Sequence, residues 1–132
     1  MRNLPLPAAI WRVVLTVVYP TEQIENLKCY CAKLSAISEG GVTFLLMEGL
    51  RLPAGCEPAV CDALLCPVPK DGYPSRLFLS VKVISLYTRN WNCVNARVAE
   101  RNWFAFSWMV DIKDTTLAQL LVAHLNGFAK EK

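Results

Sequence analysis

Histidine is almost missing from this chain, with His124 alone among 132 residues. Zinc ligands come as closely spaced pairs, so a site built from paired histidines is excluded by that count. Charge is sparse too, at 19% of residues with a formal net charge of +3. The 14 lysines and arginines are spread along the chain, and no nucleic-acid partner is expected. The apolar stretch Ile10 to Tyr19 is too short to cross a bilayer, is interrupted by Arg12 and follows no basic leader. No membrane partner is expected, and the location expected is cytoplasmic. Internal repeats and low-complexity tracts are also absent.

Apolar residues, by contrast, make up 54% of the chain, which is high for a domain of this length. A chain of this size buries one core without metal or disulfides, and part of the apolar surplus is expected to face a partner. The even count of 6 cysteines admits a disulfide scaffold, but the abundance of leucine, valine and aromatic residues favours reduced thiols. Residues 1–20 are set apart as an N-terminal extension whose IWRVVLTVVY run has a strand-like, β-branched composition, and 21–132 form a single domain.

Pro20 and Thr21 mark a helix start with Thr21 as N-cap and Glu22 in the first turn. Ile24, Leu27, Cys31 and Leu34 then recur at helical spacing and predict one stripe of that helix. Ser38-Glu39-Gly40-Gly41 breaks the helix, or a short strand after it. Three apolar runs follow, Val42 to Met47, Ala63 to Cys66 and Leu77 to Val83, separated by glycine and proline as in an antiparallel meander. In the break before the third run, Asp71-Gly72-Tyr73-Pro74 combines a glycine free to take positive φ with a proline that holds Tyr73 extended. Tyr87 to Asn95 reads as a polar loop and Arg97 to Trp108 as an irregular aromatic strand. Asp114 offers an N-cap to a final helix whose apolar face is Leu117, Leu120, Leu121, His124, Leu125 and Phe128. The fold class predicted is α+β: an N-terminal helix, an antiparallel four-stranded meander and a C-terminal helix.

Leu52-Pro53 and Gly55, then Leu64, Leu65 and Pro67, then Gly72-Tyr73-Pro74 leading to Phe78, stand in an order that resembles the divergent bacterial members of the ubiquitin-conjugating (UBC-fold) superfamily. The resemblance continues through Trp103 to Trp108 into the closing helix. It implies a UBC-like fold and a transferase that accepts a ubiquitin-like modifier as a thioester from an activating enzyme and passes it to an amine of a target protein. Bacterial anti-phage defence is the setting it implies, and no cofactor or metal is called for.

That chemistry asks for an exposed thiolate and a donor to the tetrahedral oxyanion. By the resemblance, the thioester cysteine is Cys93, with the amides of Asn92 and Asn95, beside Asn90, as oxyanion donors and Arg89 or Arg97 to favour the thiolate. The family's His-Pro-Asn triplet is absent, and the local string is Asn90-Trp91-Asn92, with Asn92 directly before Cys93. A second expectation follows from that departure: a non-catalytic UBC-fold module that binds a modifier or an activating enzyme.

The other cysteines are read as core residues, Cys29 and Cys31 on the first helix and Cys61 and Cys66 flanking the second strand, with zinc held by Cys56, Cys61 and Cys66 as the alternative. His124, inside an apolar stripe, is expected to be a hydrogen-bonded core imidazole, with proton transfer as the functional reading. Asp111 and Asp114 are candidates to receive a lysine in conjugation, against helix capping for Asp114. Trp103 and Trp108 are expected in the core and Trp91 at a surface contact.

Overall fold

The computed structural model describes residues 19–110 and 115–129. The expected extension therefore lies outside the described residues except for Tyr19 and Pro20, as do Asp111 and Asp114.

Helix α1 (Thr21–Lys28) starts on Pro20, whose fixed φ of −57° carries the chain into the first turn while its carbonyl accepts from the Gln23 and Ile24 amides. Thr21 is the first helical residue, and the expected cap is corrected to Pro20, which makes no side-chain capping bond. The helix is also shorter than the stripe predicted. It stops at Lys28, the chain tightens through Cys29 and Tyr30, and Ala32 already donates to the Glu48 carbonyl at 2.8 Å. Strand β1 (Lys33–Glu39) takes up the rest. Ile24, Leu27, Cys31 and Leu34 share one core as expected, but the last two reach it from a connector and a strand.

The reason is pairing. β1 matches β2 (Val42–Arg51) residue for residue from Lys33↔Glu48 to Glu39↔Val42, around a two-residue turn in which Gly40 and Gly41 have φ of 61° and 79°. A tight hairpin of this hand requires positive φ at both positions, which glycine supplies without strain. The same geometry recurs at Asp71 and Gly72, φ 54° and 87°, closed by mutual backbone bonds between Lys70 and Tyr73.

β3 (Val60–Cys66) and β4 (Arg76–Leu79) continue the meander, and the third run ends as a strand at Leu79 instead of Val83. The predicted loop ends early as well: Cys93 opens β5 (Cys93–Val98), which turns at Ala99 and Glu100 into β6 (Arg101–Ala105). β6 joins β4, giving an antiparallel sheet of 6 strands in the order β1-β2-β3-β4-β6-β5, where four were expected. Bulges in β2 and β5 help to curl it.

Both faces of this sheet are apolar. Leu45, Met47, Ala63, Leu65, Leu77 and Leu79 lie under the helices, while Phe44, Leu46, Leu64, Phe78, Trp103 and Ala105 form a second core inside the curl. Strands buried on both sides lose the alternation of a half-exposed sheet, so β4 is buried at every position. Much of the apolar surplus expected to face a partner is spent on this second core.

Helix α2 (Leu117–Ala129) closes the first face with the stripe the sequence predicts. Its cap is Thr116. The Thr116 hydroxyl accepts from the Gln119 amide at 3.2 Å, and the Gln119 side chain accepts from the Thr116 amide at 3.0 Å, a reciprocal capping box. Among the described residues, no helix is long and apolar enough to cross a membrane.

Candidate functional site

At one end of the sheet the Asp71-Gly72 turn, the start of β5 and the segment after β6 converge. Pro74 follows the turn and aims Tyr73 toward Asn92 and Ser107. The Asn92 amide nitrogen donates to the Tyr73 oxygen at 2.7 Å, and the Tyr73 hydroxyl donates to Ser107 Oγ at 3.3 Å. These two bonds hold the phenol pKa below its usual value, with the Arg76 charge adding to the effect.

Arg76 sits behind this layer. Its guanidinium lies 4.0 Å from the centre of the Tyr73 ring, and Nη2 donates to the Asn92 side-chain oxygen. Only 5% of the residue is exposed, its Nε has no hydrogen-bond partner, and no carboxylate pairs with it among the described residues. Among the described residues, an arginine so placed is a buried charge without a counter-ion.

His124 is the core imidazole expected. It is buried and shares a 2.8 Å hydrogen bond with Ser75 Oγ, and burial followed by the nearby Arg76 charge lowers its pKa to about 4. It is neutral at neutral pH and adds no charge to this end of the sheet.

The residues the sequence put forward are thus divided. Asn92 belongs to the Tyr73–Arg76 network, with its side-chain oxygen and nitrogen both engaged. Cys93 is the first residue of β5, opposite Ala105 of β6, half-buried and packed against the second core. Asn95 is exposed in the β5 bulge, and Asn90 receives the Ser107 amide on its carbonyl at 2.8 Å. Arg97 donates across the hairpin to Asn102, and Arg89 lies over the rings of Tyr87 and Trp108.

Trp91 is corrected from a surface contact to a packed residue, edge-on to Phe106 with ring centres 5.2 Å apart. Trp103 is fully buried and bonds the Val98 carbonyl, and the Trp108 indole donates to the Ala123 carbonyl. All 6 cysteines are free thiols. Cys29 caps α1 and is exposed, so it is not a core residue, and Cys31 follows the helix instead of lying on it. Cys56 and Cys61 point into the first core and Cys66 into the second, so the sheet separates the three proposed zinc ligands.

Sequence reasoning treated Tyr73 only as part of a turn, and Arg76, Ser75 and Ser107 were missed. The one local signal was an arginine at the head of an apolar strand, Ser75-Arg76-Leu77-Phe78. Compared with protein-family models, curated proteins and solved structures, the chain matches none.

Proposed function

We propose that this α+β domain is a curled variant of the UBC fold that binds a ubiquitin-like modifier without forming a covalent bond to it. The resemblance around Gly72-Tyr73-Pro74 supports the family. The observation that carries the non-catalytic reading is the setting of Cys93, half-buried at the start of β5 and packed against the second core, beside an Asn92 whose side chain is oriented by Tyr73 and Arg76. An oxyanion donor has to be aimed at the reacting carbon's oxygen, and these bonds aim Asn92 at the Tyr73 network instead. The thiol beside it, on Cys93, rests on a strand against a core.

An apolar ledge supports the binding role. Ile84 and Leu86, in the loop after β4, are 68% and 75% exposed, and Val60 beside the facing loop is 50% exposed. The ledge is rigid because Ile84 and Glu57 exchange backbone hydrogen bonds of 2.8 and 2.9 Å. Large apolar groups held fixed in water are suited to a protein contact.

Calorimetry with the cognate modifier tests the reading. Binding is expected in the wild type, unchanged in Cys93→Ala and weakened about tenfold or more in Ile84→Asp, the loss of one buried apolar anchor. Absence of heat with both the modifier and its activating enzyme would overturn it.

A further inference from the structure

The exposed ledge has a charge of each sign at its border. Glu57 and Ile84 stand opposite each other in an antiparallel bridge, so their side chains leave the same face of this short ribbon. Along the second strand of the ribbon burial alternates: Lys82, Ile84 and Leu86 are exposed, and Val83 between them is buried. Lys82 and Leu86 therefore share the face of Ile84. Leu86 covers Gly55, its Cγ 3.6 Å from where a Cβ on that glycine would stand. Glu57 is exposed like Lys82, and neither side chain makes a hydrogen bond or ion pair among the described residues.

One acid and one base beside an apolar centre form a surface that complements itself. A two-fold axis laid between them brings Lys82 of one copy to Glu57 of a second copy, and the same rotation brings Glu57 to Lys82. Ile84, opposite Glu57 and two residues from Lys82, stays close to that axis and meets its own counterpart. A partner charged strongly in one sign would instead set like charges against Glu57 or against Lys82.

We propose that two copies of this chain pair through the Glu57, Lys82, Ile84 and Leu86 face, with apolar side chains at the centre and a Lys82–Glu57 ion pair on each side. The face is small, so the pairing is weak and reversible. It also covers the ledge assigned to the modifier, and the modifier then competes with the second copy. That competition rests on the modifier reading; the pairing does not.

The test is sedimentation velocity of the full chain alone over a range of concentrations. Wild type is expected to pass from monomer to dimer as concentration rises, and Ile84→Asp to stay monomeric. Lys82→Glu and Glu57→Lys should each weaken pairing about tenfold or more, because each sets like charges on both sides of the axis. Both side chains are exposed, so neither reversal should disturb folding. Mixed in equal amounts, the two variants should pair as tightly as wild type, since every reversed charge then meets its opposite. Added modifier should dissolve the wild-type dimer. A wild type monomeric up to about 1 mM, a dimer indifferent to Ile84→Asp, or a mixture no tighter than its components would each overturn the proposal. A dimer that forms as expected and ignores the modifier would count against modifier binding at the ledge and leave the pairing standing.

Discussion

Under the two helices, the sheet presents aliphatic side chains, and the cover, which includes Phe106 and Phe128, comes from distant parts of the chain. On the opposite face there is no helix among the described residues; the sheet covers itself by curling, and aromatic Phe44, Phe78 and Trp103 fill the space. Among the described residues, the first face carries His124 and Ser75 as one hydrogen-bonded buried polar pair. The second is less well resolved chemically: Ser35 Oγ is buried without a partner, and Arg76 enters at the rim. The difference teaches where each job resides. Helix-covered packing holds the fold, and the end of the curled face is where a buried guanidinium meets the Tyr73 hydrogen-bond network.

The comparison breaks most visibly at Trp103, the largest fully buried side chain among the described residues. Trp103→Ala should cost about 3–5 kcal/mol, measured by urea unfolding. The neighbours Leu64 and Leu65 give the balanced contrast, since both are fully buried but on opposite faces. Leu65→Ala, under helices that cannot close the gap, should cost more than Leu64→Ala, within the usual range of about 2–5 kcal/mol. Equal costs would mean that the curl is as unyielding as the helix layer.

His124 sharpens the comparison through pH. Its folded pKa of about 4 lies below the ordinary 6.5, so between those values the unfolded chain binds more protons. The stability due to a neutral His124 is complete above pH 6.5 and is lost as pH falls toward 4, by about 3 kcal/mol in all. Unfolding curves for His124→Gln should lack that part of the acid loss. A smaller effect is expected at Thr116→Ala, about 1 kcal/mol, because only one side of the capping box is removed.

How much of this was legible in the sequence depended on how local the cause was. The Asp71-Gly72 turn and the α2 stripe are written in adjacent residues, and both stand as expected. Thr116-x-x-Gln119 is an equally local capping signature that the sequence reading did not use. β1 was hidden because Cys31 and Leu34 continue a helical spacing, and only the register with β2 decides for a strand. Two-sided burial could be suspected from the unbroken apolar runs, but the curl depends on bulges at Gly49 and near Asn95. The Tyr73, Arg76, Asn92 and Ser107 network joins residues far apart in sequence, and no local pattern announces it.

The most direct measurement is intact-mass spectrometry of the chain incubated with its activating enzyme, modifier and ATP, with and without reductant. If Asn92 is held as the structure shows and Cys93 serves packing, the activating enzyme becomes charged while this chain keeps its own mass. A modifier-sized adduct that disappears with thiol and in Cys93→Ala would contradict that, and would make the domain a transferase.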